Sequence, residues 1–230
     1  MKVTTLCRMV IDFVMIVLML VVMASRLIGN TAHELLGVSL ILLFIVHHIL
    51  NRQWYKTLLK GRYNALRVLH TAVNMLLLVT MLALMVSAVL ISRSVFAFLD
   101  LNGGLIGRQI HLLATYWGFI LMSIHLGMHW GMIMGAVRKL TKTNSPNRNC
   151  TYMLRIIAGL IAVYGVYASF VREVGAKLIL YYSYDFWNYD QSAVIFFVDY
   201  LCIMGLYVCV TYYLLRLFRN GEQKDKDEKV

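Results

Sequence analysis

Apolar residues recur in six long runs, at positions 9–27, 33–50, 69–91, 110–134, 152–170 and 193–217, and most of the charge falls between them. A helix needs about 20 apolar residues to cross the hydrocarbon layer. The pattern therefore predicts an all-α fold, a polytopic membrane helical bundle of six transmembrane helices. The spans and their short loops account for the length, so the chain is read as a single integral membrane domain, 1–230, with no separate soluble domain. Composition agrees: 60% of residues are hydrophobic and there is one proline, with a mean hydropathy of +0.71, against about 45–50% apolar in ordinary soluble domains. Lys2 and Arg8 before the first run raise the question of a signal peptide. That run is long for a signal peptide's apolar region and has no A-x-A site, so a retained helix is expected.

The net charge of +11 does not point to nucleic acid, because cations in a multispan protein report orientation. Arg52, Lys56, Lys60, Arg62 and Arg67 lie between spans two and three, and Arg138, Lys139, Lys142, Arg148 and Arg155 between spans four and five. Together with the two ends of the chain, one side holds 17 of the 22 cations. That bias predicts cytoplasmic termini, for a chain read as an inner (cytoplasmic) membrane protein with lipid as the surrounding partner. The tail, 218–230, reads as a solvated cytoplasmic run of mixed charge. The third outside segment, 171–192, carries Tyr181, Tyr182, Tyr184, Phe186, Trp187 and Tyr189 with Asp185 and Asp190. It is either an interfacial aromatic belt or a docking surface capping an outer site. The four cysteines form no CxxC pair, and the absence of CxxCH excludes covalent haem attachment.

All seven histidines lie in or at the ends of spans two, three and four. Ionisable side chains in membrane helices are costly and point to function. His33 and His47 are 14 residues apart, as are His111 and His125. Fourteen steps of an α-helix return to within about 40° of the same face and advance about 21 Å. Each helix thus presents one imidazole near each membrane surface. Spans two and four run in the same direction, which places His33 and His111 at the outer level and His47 and His125 at the inner level. Two such helices face to face supply two pairs of axial imidazoles, the arrangement of two bis-histidine haem b groups in a helix bundle.

Gly118 lies midway between His111 and His125 and about 20° off their direction, and Gly37 lies one turn after His33. Both could let a flat macrocycle approach the backbone, although small residues also simply pack membrane helices. Arg108 is a candidate partner for outer propionates, and Arg52 and Arg67 for inner ones; each is also an ordinary topogenic charge. His48, His70 and His129 are alternatives to His47 or His125 as inner ligands. They could equally hold a third haem, solvate propionates, or line a proton path to a quinone.

The residues Thr31-Ala32-His33-Glu34-Leu35-Leu36-Gly37, then His47 and Asn51-Arg52-Gln53-Trp54, form an H-E-x-x-G opening and an H-x-x-x-N-x-x-W exit on one helix. With His125-Leu126-Gly127-Met128-His129-Trp130, this resembles a bacterial membrane family of di-haem b cytochromes, named as a domain of unknown function. That family is associated with flavinylated extracytosolic electron-transfer proteins. The similarity covers roughly residues 30–135, the expected haem-binding core, and implies ligation by His33, His47, His111 and His125. It implies electron passage between the quinone pool, with quinone or quinol as candidate substrate, and an extracytoplasmic flavoprotein or other redox protein. The layout is also similar to the core of respiratory cytochrome b, but the quinol loop and extra spans of that protein are missing. No GxGxxG motif or flavin domain is present, so NAD(P)H cannot be oxidised by this chain alone. The expected role is the membrane subunit of a quinol-linked oxidoreductase, with no catalytic residue of its own. The rival readings are a histidine-lined transition-metal transporter and a passive anchor subunit.

Overall fold

The computed structural model describes residues 3–61, 63–141, 148–181 and 192–227. Among these, the chain forms α1 (Val3–Met23), α2 (Ser25–Ile28), α3 (Asn30–Leu50), α4 (Gln53–Leu58), α5 (Ala65–Ile91), α6 (Gly104–Thr141), α7 (Arg148–Val171), α8 (Val174–Leu178) and α9 (Ala193–Asp227). A single 3-10 turn, Ala97–Leu99, sits in the α5–α6 connection, and no strand is present among the described residues. Six helices are long and apolar enough to cross a membrane: α1, α3, α5, α6, α7 and α9. The protein is an all-α, multi-pass membrane bundle.

The expected spans are all present, but their ends move. The first run stops at Met23 rather than continuing to position 27, and Gly29, at φ +78°, turns the chain into α3. α6 spans 38 residues, starting six before the apolar run and ending seven after it. At 1.5 Å per residue it is about 57 Å long, well beyond the roughly 30 Å hydrocarbon layer. Hydropathy marks only the part of a helix that lipid covers, so these polar extensions went unread. α9 likewise continues to Asp227, through most of the charged tail. Of the aromatic segment 171–192, residues 182–191 lie outside the described residues.

The bundle is built from hairpins. α1 packs on α3, α5 on α6, and α7 on α9, while α6 also packs on α9 and α8. Two close approaches depend on glycine. A Cβ on Gly165 would collide with the Cys202 carbonyl oxygen of α9, and one on Gly127 would lie 2.8 Å from Thr211 Cβ. The outer face of α7, including Ile156, Leu160, Val163 and Phe170, is exposed, as a lipid-facing helix requires. α3 touches α5 only sparsely, and it is not packed on α6. A gap therefore separates the α1–α3 hairpin from the α5–α6 hairpin, with Met19 and Gly118 between them at mid-height. Because α3, α6 and α9 share one direction, the start of α1 and the end of α9 lie at one end of the bundle, here the terminal end. The opposite end is the far end.

Candidate functional site

The antiparallel register of α1 and α3 brings Val22 opposite His33 and Asp12 opposite His47. His33 Nδ1 lies 3.0 Å from the Val22 carbonyl oxygen. Val22 stands in the last turn of α1, where backbone carbonyls lose their partners four residues on, so the termination of α1 exposes this acceptor. His47 Nδ1 lies 2.7 Å from Asp12 Oδ1. The α5–α6 hairpin repeats the plan. His111 Nδ1 lies 3.3 Å from Ser87 Oγ, and His125 Nδ1 lies 2.8 Å from Asn74 Oδ1.

These partners fix the tautomer. A carbonyl, a carboxylate and an amide oxygen can only accept, and Ser87 Oγ already donates its hydrogen to the Leu84 carbonyl at 2.9 Å. Each of the four Nδ1 atoms is therefore the donor, and each Nε2 keeps a bare lone pair. No protein partner meets those four Nε2 atoms among the described residues. An imidazole oriented through one nitrogen and open at the other is the hallmark of a metal-ligating histidine.

At the far end, the rings of His33 and His111 face across the gap with centroids 6.1 Å apart. Metal–imidazole bonds are about 2.0–2.1 Å, so two rings on opposite sides of one ion have centroids roughly 6 Å apart. Both rings line a cavity of about 520 Å³ that also touches Gly37, Arg26 and Arg108. Nothing lies within 4 Å of where a Gly37 Cβ would be, so this helix face is open. Two imidazoles, a bare backbone face and two guanidiniums fit a planar macrocycle carrying two carboxylates.

Glu34 holds the two hairpins together above this cavity. Its carboxylate accepts from Ser92 Oγ at 2.6 Å, from the backbone N–H groups of Arg93, Ser94 and Val95 at 2.8–3.0 Å, and from Asn30 Nδ2 at 2.8 Å. The loop after α5 is thereby tied to the first turn of α3, the helix that carries His33. Glu34 also lines this cavity beside His33, but its carboxylate oxygens are taken up by the loop after α5.

The terminal end is more crowded. His47 and His125 share their level but their rings do not touch among the described residues. His125 instead lies 4.7 Å from His129, and His129 faces His70 with centroids 6.3 Å apart and planes within 13°. By distance alone His70 and His129 could also share an ion, but neither has an Nδ1 partner of the kind that orients the four. His48 packs its ring on Phe44 at 4.1 Å, and its Nδ1 lies 2.9 Å from the Tyr55 hydroxyl, whose pKa burial pushes up. Arg67 lines a smaller cavity of about 250 Å³ with His70 and His129. Arg52 is exposed and lines neither cavity. Gly118 also lines neither; its Cβ position meets Met81 and Thr80 of α5 at 3.6–3.7 Å and Met19 of α1 across the gap at 3.9 Å, all ordinary van der Waals contact.

Sequence reasoning did not find the four Nδ1 partners. Asp12 and Asn74 carry a readable signal, a polar side chain inside an apolar run, but their pairing depends on the register between helices. Val22 acts through its backbone, which no residue type announces. Arg26, which also lines the far-end cavity, carries no signal in the sequence beyond its charge. Compared with known proteins, the chain matches no family model, no curated protein and no solved structure.

Proposed function

We propose that the chain is a transmembrane b-type cytochrome. His33 and His111 would hold one haem b at the far end, and His47 and His125 a second at the terminal end. The observation that carries this reading is the common state of those four imidazoles, each donating through Nδ1 to a neighbouring helix and each presenting an unpartnered Nε2. Bound haem supplies one-electron redox chemistry at a potential set by its axial ligands and surroundings. The chain's own part is to fix the imidazole tautomers, to keep the gap between the hairpins open, and to place Arg26 and Arg108 beside the far-end carboxylates. The carboxylate of Asp12 makes His47 a more basic ligand than Asn74 makes His125.

The charge bias supports cytoplasmic termini in a bacterial inner membrane, with the far end outside. Electrons then pass between the quinone pool, or a cytoplasmic donor, and an extracytoplasmic redox partner. A flavoprotein partner rests on the family resemblance alone. One observation favours a metal-transport pathway instead: a carboxylate, Asp12, beside a membrane histidine. Against it, Asp12 is engaged with Nδ1, Glu34 with the α5–α6 loop, and Asp199 with Arg172 and Tyr164. Among the described residues no three His, Cys, Asp or Glu side chains converge to hold an ion.

The test is a reduced-minus-oxidised visible spectrum of the purified protein with a pyridine haemochrome count. Haem b bands at two haems per chain are expected. Bound transition metal without haem would give the transporter reading instead.

A further inference from the structure

The 250 Å³ cavity at the terminal end is a built site that the four axial histidines do not use. Its walls include Trp54, Tyr63, Arg67, His70, Asn74 and His129. Arg67 braces the roof, donating through Nη2 to the carbonyls of Thr57 at 2.7 Å and Lys60 at 2.5 Å, with its guanidinium 4.3 Å above the Tyr63 ring. The Tyr63 hydroxyl closes the same loop by donating to the Leu58 carbonyl. His70 lines the cavity, and its Nε2 has no hydrogen-bond partner within the protein among the described residues.

We propose that this cavity binds the head of a quinone or hydroquinone. The inference rests on reading the chain as a quinone-linked membrane cytochrome and adds the place where the quinone docks. Three observations choose this occupant. α5 and α6 pack directly on one another, so His70 and His129 are neighbours on one hairpin and do not face each other across the gap that His33 and His111 share. The cavity has under half the volume of the far-end one, 250 against 520 Å³, and falls below the roughly 300–1,000 Å³ of drug-sized ligand sites. It suits one ring system rather than a macrocycle. No third metal ligand accompanies the two imidazoles among the described residues, which disfavours an ion.

The wall chemistry matches a quinone head. A quinone oxygen accepts a hydrogen bond and a hydroquinone hydroxyl donates one, and imidazole answers to either. Trp54 supplies an aromatic wall. The site lies where α4 meets the start of α5, at the end of the membrane spans, within reach of a lipid-soluble molecule. Asn74 links it to the haem ligands: its side chain lines the cavity while its Oδ1 accepts from His125 Nδ1 at 2.8 Å.

The test is photolabelling of the full-length purified protein with an azido-ubiquinone, mapped by mass spectrometry. Label is expected between residues 53 and 74 or at His129, displaced by excess decylubiquinone. Thr71 also lines this cavity; Thr71→Phe, which fills it without removing a histidine, should weaken labelling at least about tenfold with the haem spectrum unchanged, and His70→Gln should weaken it similarly. Label elsewhere, or label indifferent to Thr71→Phe, would overturn the proposal. So would a count of three haems that falls to two in His70→Gln, because the imidazole pair would then belong to iron. Label at this site in a protein without haem would support the quinone site and remove the cytochrome reading.

Discussion

The two ends of the gap between the hairpins hold imidazoles in different ways. The far end has two histidines, each with one anchor, facing across a single large cavity that a carboxylate latch closes. The terminal end has five histidines, a carboxylate and an amide, and a smaller cavity beside them. The contrast shows that a shared 14-residue spacing sets where imidazoles stand, while the neighbouring helix decides what each can do. His47 and His125 are separated from His70 and His129 by having an Nδ1 partner, and from His48 by its kind, an oxygen that only accepts rather than the Tyr55 hydroxyl, which can also donate.

The far end can be broken without damaging the fold. Gly37→Leu adds a side chain where nothing lies within 4 Å, at a helical position where leucine is favoured over glycine by somewhat under 1 kcal/mol. It should yield a protein at least as stable as the parent that binds about one haem rather than two. A haemochrome count with a thermal melt checks this; two haems in the variant would show that the cavity is not the haem site.

Glu34→Gln removes the charge that the α5–α6 loop surrounds. A cost of about 2–3 kcal/mol is expected, since hydrogen bonds to charged groups contribute about 1.5–3 kcal/mol each and the amide keeps some of them. The loss should fall on the far end, seen as earlier thermal release of one haem while the other is retained.

The terminal end is sharpened by Asp12→Asn, which makes the partner of His47 resemble that of His125. A less basic ligand should raise one midpoint potential by some tens of millivolts, given about 59 mV per tenfold change for one electron. A redox titration followed at the haem band should show one step move and the other stay. No movement would remove His47 as a ligand and favour His70 or His129. The smallest effect is expected of Arg52→Gln, which is exposed and away from both cavities. Its stability should change by less than about 0.5 kcal/mol, with both potentials unaltered.

Much of this was legible in the sequence. The six runs place all six spans, because lipid demands continuous apolar helices and little else does. The 14-residue interval places His33 level with His111 and His47 level with His125. What could not be read is the relation between helices. A helical wheel for α5 says nothing of its register against α6, so neither the His70–His129 pair nor the Asn74–His125 bond follows from periodicity. Gly118 lies on the histidine face by angle, but the wheel could not name its neighbours, Met81 and Thr80 of α5 and Met19 of α1. The break after Met23, which frees the Val22 carbonyl for His33, comes within a run that hydropathy reads as continuous.

The most direct measurement is the redox-resolved haem spectrum of His33→Ala, His111→Ala and the double variant. Both single variants should lose the same haem and keep the same remaining one, and the double should be no worse than either. If the singles lose different haems, or both haems survive in the double, these two imidazoles do not grip one iron and the assignment fails.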